Sequence, residues 1–159
     1  HTHSVMIARH RLPPDTIRFD TQFAICDDTD LWVRLGLQGK MGYLDKVLCS
    51  YRKHDSNLTL DSEKFLVDAI RYHKHNLLRI EHRLSSGQVA QLRQRIAGSL
   101  ADLGYVRYLG YRLKEARVAY RESMTWAFGG KVILGYLKAF IPAPVLRLAK
   151  GRKNLLGSS

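Results

Sequence analysis

The sequence predicts a mixed α/β segment followed by an all-α helical extension, so that the chain is mainly α overall. Three observations predict this. Up to residue 60, short runs of β-branched and aromatic residues alternate with turn residues. Beyond residue 60, apolar residues recur at spacings of three and four, the period of an amphipathic helix. Charge changes at the same place: eight Lys or Arg stand against seven Asp or Glu up to residue 60, and eighteen against seven after it. Three parts are expected, 1–60, 61–128 and 129–159.

Taken in order, "SVMIARHRL" reads as a short strand running into a turn at Pro13 and Pro14, and "FDTQFAICDD" as an irregular connector. The acids Asp27, Asp28 and Asp30 then open a helix. Thr29 to Gln38 places Leu31, Leu35 and part of Trp32 on one face, and Gly39 stands where a left-handed stop is expected. "MGYLDKVLCSYRKH" follows as two extended pieces around a turn at Asp45 and Lys46. After residue 60, Asp61 or Ser62 caps a helix whose stripe is Leu66, Ile70, His73, Leu77, Ile80 and Leu84. "SSG" at 85–87 ends it, and a second helix puts Val89, Leu92, Ile96 and Leu100 on one side.

The stretch "LADLGYVRYLGYRLKEARVAYRESM" looks like a single tetratricopeptide-type hairpin, with Leu103, Gly104, Ala116 and Tyr120 at that repeat's spacing. Arg107 stands where the repeat prefers an aromatic, and there is one copy, so the reading is a helical pair and not an array. Residues Lys131 to Phe140 form a short apolar helix broken by Pro142 and Pro144. The basic tail beyond it, with Arg147, Lys150, Arg152 and Lys153 beside Val145, Leu146 and Leu148, suits either a docked helix with a solvated side or an anionic membrane surface.

A length of 159 residues with 45% hydrophobic content suits one ordinary domain or a small domain with an appendage. No apolar run is long enough to span a membrane, and the first residues lack the apolar core of a secretory leader. A cytoplasmic location is expected, with peripheral contact on the inner membrane face. Cys26 and Cys49 form neither a disulfide framework nor a zinc pattern. The chain has no initiator Met and reads as a fragment.

The ordered phrases "FD", "DDTDLWVRL" and "GYLDKVLCSYRKH" carry a resemblance. Phe19, Asp20, Asp28, Asp30, Leu31, Trp32, Arg34, Leu35, Gly39, Tyr51, Arg52 and His54 are similar, in register, to the C-terminal half of family 2 glycosyltransferases of GT-A fold. The resemblance implies that residues 1–60 are the C-terminal portion of such a domain. It further implies inverting transfer from a nucleotide-diphosphate sugar to a glycan or lipid-linked acceptor, in bacterial surface polysaccharide synthesis.

By the same resemblance, Asp28 is the general base, Asp27 a shortened form of the family's acceptor-side Glu, Arg52 a donor-binding residue and His54 a ligand of a divalent metal, Mn or Mg. Asp30 reads as a helix cap, and Arg34 as an ion-pair or solvated residue. "DTD" at 28–30 opens a helix and is not the family's metal motif. The nucleotide-binding half has no counterpart, so this polypeptide alone is expected to be inactive.

Two other readings stand beside this one. A helical interaction module would use the hairpin, with the first 60 residues a remnant. A nucleic-acid-binding protein would use the basic helices, but no reading motif supports it, Tyr105, Tyr108 and Tyr111 read as helix packing, and nucleic acid is not an expected partner.

Overall fold

The computed structural model describes residues 5–13, 15–50, 62–142 and 144–145. Five α-helices follow one another: α1 (Asp27–Gln38), α2 (Ser62–Ile80), α3 (Ser86–Leu109), α4 (Leu113–Trp126) and α5 (Gly130–Lys138). Single 3-10 turns lie at Arg9–Arg11 and Glu81–Arg83. No helix among the described residues is long and apolar enough to cross a membrane. The chain forms two compact units, His1–Tyr72 and His73–Ser159.

In the first unit, α1 starts at Cys26 with no side-chain cap, so the three first-turn acids face the positive end of the helix dipole. The N–H groups just ahead of the helix are met from a distance. Asp68 on α2 accepts the amides of Ile25 at 2.8 Å and Cys26 at 2.9 Å, and the Ala24 amide at 3.4 Å. That bond set brings the connector onto α2, where Phe23, Cys26, Ala69 and Tyr72 form a small core. Phe23 and Tyr72 meet edge to face at 5.7 Å, and the Tyr72 hydroxyl donates to the Thr29 carbonyl at 3.4 Å.

This unit corrects the expected fold class. Among the described residues there is no strand, and therefore no mixed α/β segment. Residues 5–8 are irregular before the turn at Arg9–Arg11, and 41–50 are irregular with a bond from the Lys46 amide to the Leu44 carbonyl. The physical reason is that β-propensity expresses fit to a paired, half-buried surface, and these runs find none. Tyr43, Leu44, Val47 and Leu48 are all exposed. Gly39 is corrected too: its φ of −148° is extended, and the helix ends on its amide bonding the Leu35 carbonyl at 3.0 Å.

The second unit is a helical assembly. Ser85 caps α3 through a reciprocal box: its Oγ accepts the Gln88 amide at 3.3 Å while Gln88 Oε1 accepts the Ser85 amide at 2.9 Å. The expected second helix and the first helix of the hairpin are one continuous helix, because nothing between Val89 and Leu109 breaks the period. A turn at 110–112 reverses the chain into α4; Tyr111, not Gly110, takes the left-handed conformation there, at φ 59°.

Three features lock α4 in place. Buried Ser123 donates to the Ala97 carbonyl of α3 at 2.7 Å. Arg117 Nη1 donates to the Ala139 carbonyl at the end of α5 at 2.6 Å, with its guanidinium 4.8 Å from the Phe140 ring. Tyr120, Ala116 and Ala139 form the core between α4 and α5, with Val132 and Tyr136 packed against them.

Candidate functional site

The acids at the start of α1 do not converge on a catalytic centre. Asp28 Oδ1 accepts the backbone amide of the next residue, Thr29, at 2.6 Å and its hydroxyl at 3.1 Å. Asp27 lies in the same first turn. Asp30 is fully buried, and its Oδ2 accepts Nε–H of Arg34 at 2.8 Å. Arg34 in turn donates to the carbonyls of Thr16 and Arg18, tying the preceding connector to the helix. This ion pair is architecture: removing Arg34 would take the counter-charge from the fully buried Asp30 carboxylate.

Burial pushes the Cys26 thiol up to about 12, with Asp68, Asp28 and Asp27 adding to the shift. It is therefore an inert core thiol and not a nucleophile. Arg52 and His54 lie outside the described residues. Among the described residues no group of three or more His, Cys, Asp or Glu side chains is placed to hold a metal ion.

The glycosyltransferase reading is accordingly corrected. A GT-A domain is a mixed α/β structure, and among the described residues the segment assigned to it contains one helix and no strand. With no sheet among the described residues there is no GT-A core among them to hold a nucleotide sugar opposite Asp28, and the descriptions as a family 2 transferase and as a polysaccharide-synthesis enzyme fall with it. The membrane-associated description has no spanning helix among the described residues behind it.

Each unit carries a hollow among the described residues. A groove of about 510 Å³ lies between α3 and α5, with α4 beneath it. Ala101, Asp102, Tyr105, Tyr108 and Leu109 wall one side, at spacings that put them on one face of α3. Lys131, Leu134 and Lys138 wall the other. A second hollow, of about 460 Å³ in the first unit, is walled largely by irregular chain at 5–12 and 39–42 on the Trp32 and Leu35 side of α1.

No family model matches this chain, and neither does any curated protein or solved structure.

The floor of the groove is the ring of Tyr120, and the reason it sits there is steric. A Cβ on Gly104 of α3 would lie 2.9 Å from the ring, and one on Gly135 of α5 would lie 2.8 Å from its Cζ. Tyr120 is thus wedged between two glycines on different helices and is only 4% exposed. Burial raises the pKa of its hydroxyl, with Tyr108, Tyr105 and Asp102 contributing.

Sequence spacing marks Gly104 and Tyr120 as partners, but Gly135 escapes it, because the contact joins a different helix 15 residues further on. Tyr105 and Tyr108, read from sequence as packing residues, line the groove, and Tyr105 is 55% exposed. The signal that finds them is their shared face with Ala101 and Leu109, which becomes informative only once the opposite wall is known.

Proposed function

We propose that this chain is a helical protein-interaction module, tetratricopeptide-like in its α3–α4 hairpin, that seats a segment of another protein in the groove between α3 and α5. The all-helical described structure, without a sheet or a metal-binding cluster among the described residues, fits such a module better than a GT-A enzyme. The observation that carries the reading is the wedged Tyr120 ring. A floor fixed by two glycines keeps the groove formed before any partner arrives, so association need not include the cost of ordering it. Tyrosine walls add rigid, amphipathic contact area, the kind of surface on which binding energy concentrates.

The test is selection of a random 12-residue peptide library displayed on phage against the full chain, with Tyr105→Ala and Leu134→Asp as counter-screens. Both side chains are exposed, so neither substitution should unfold the unit. Peptides enriched on the wild-type chain should be lost on both variants. Failure to enrich anything above an unrelated helical protein would sink the proposal.

A further inference from the structure

We infer that the groove selects an acidic segment, one whose two carboxylates stand about 10 Å apart and flank an apolar side chain; this inference rests on the interaction-module reading. Lys131, Leu134 and Lys138 occupy positions i, i+3 and i+7 of α5 and so share one face, with the two ammonium groups carried two turns, or about 10 Å, apart along the helix. Leu134 lies between them and is 53% exposed. The facing wall offers Tyr105 and Tyr108, so a side chain entering between the lysines meets leucine on one side and tyrosine rings on the other.

The charges are available. Three other cations of this unit are engaged with carboxylates: Lys74 pairs with Glu122, and Arg107 and Arg112 approach Glu115 at 3.8 and 3.5 Å. Among the described residues neither Lys131 nor Lys138 pairs with a carboxylate. Asp102, on the α3 wall, is the acid that opposes them across the groove. The local balance is therefore two cations on one wall against one anion on the other, and a partner's acids are directed to the α5 side. A concave groove with an aromatic floor seats a chain segment; a planar headgroup surface would leave the Tyr120 and Tyr108 rings untouched.

The experiment reads the composition of the peptide pool selected on the full chain, then titrates an enriched peptide and its Glu-to-Gln counterpart by fluorescence anisotropy. Enriched sequences should carry paired acids around an apolar residue. Lys131→Glu combined with Lys138→Glu should weaken the acidic peptide at least about tenfold, and raising the salt should weaken it on the wild type. Asp102→Asn should tighten it about two- to threefold. The variants change exposed positions, and unaltered circular dichroism serves as the folding control.

An enriched pool with no acidic bias, or equal binding of the Gln counterpart, would overturn this inference while leaving the groove as a peptide site. No enrichment at all would overturn both. Binding to phosphatidylserine vesicles or to duplex DNA that requires both lysines, with no acidic peptide selected, would assign the cations to a phosphate surface and overturn it as well.

Discussion

The two units satisfy their backbone polar groups by different means. In the first, irregular chain ahead of α1 relies on side chains: Asp68 gathers three successive amides, and Arg34 takes the carbonyls of Thr16 and Arg18. In the second, the helices satisfy most of their own backbone, Ser123 and Arg117 tie α4 to carbonyls of Ala97 and Ala139, and Tyr120 packs between Gly104 and Gly135. The contrast teaches that an irregular connector depends on distant polar side chains for its main-chain hydrogen bonds, whereas a helix supplies most of its own. It also places the weak points differently, polar in one unit and steric in the other.

The largest test of that contrast is Tyr120→Ala. Removing the ring leaves a void where three helices meet, and large aromatic truncations in cores cost about 3–5 kcal/mol. Urea unfolding followed by Trp126 fluorescence, in a Trp32→Phe background, should show a loss of that size. A loss below about 1 kcal/mol would mean that the wedge is not what holds α3, α4 and α5 together.

Next comes Asp68→Ala. It strands the amides of Ala24, Ile25 and Cys26, of which that of Cys26 is buried, and an orphaned buried donor costs about 1–3 kcal/mol. Hydrogen exchange at those three amides should accelerate sharply, while Asp68→Asn, which keeps one accepting oxygen, should fall between. Unchanged exchange would show that the connector is held by Phe23 packing alone.

Smaller again is Gly135→Ala. The added methyl meets the Tyr120 ring at 2.8 Å and must displace it, an overpacking cost of about 1–3 kcal/mol, offset by about 1 kcal/mol of improved helix propensity. The net is a modest destabilisation, seen as a lowered Tm. An alanine at Gly98, where nothing lies within 4 Å, should instead be neutral or stabilising.

The smallest effect concerns pH. His73 has its pKa lowered from 6.5, first by burial and then by the Arg95 charge. The unfolded chain therefore binds the proton more readily than the folded one. The His73 contribution is intact above pH 6.5 and is lost as pH falls through the lowered folded value. Comparing wild type with His73→Gln at pH 7.5 and 5.5 should show the steeper loss in the wild type. Parallel behaviour would remove His73 from the account.

Much of the helical architecture was legible from period alone. Of the stripe Leu66, Ile70, His73, Leu77, Ile80 and Leu84, the residues Ile70, Leu77 and Ile80 are buried on α2, but the helix ends at Ile80 and Leu84 lies beyond it in extended backbone; Ile96, Leu100 and Leu103 are buried on α3. The extended pieces were not legible, because Val47 and Tyr43 have strand propensity without a strand to pair with, and propensity cannot supply the neighbour. The candidate groove was half legible. Tyr105 and Tyr108 share a face by spacing, yet nothing in the sequence says that Lys131 and Lys138 stand across from them.

What the sequence by itself determined, then, was local: where helices run and where the basic excess lies. These depend on contacts within a turn or two, which spacing encodes directly. Only the tertiary structure decided that the first 50 residues hold no strand among those described, that Asp68 reaches back more than 40 positions to the amides ahead of α1, and that Tyr120 rests between two glycines. Each of those outcomes depends on which distant surface is present to pair with or pack against, and a linear spacing carries no such information.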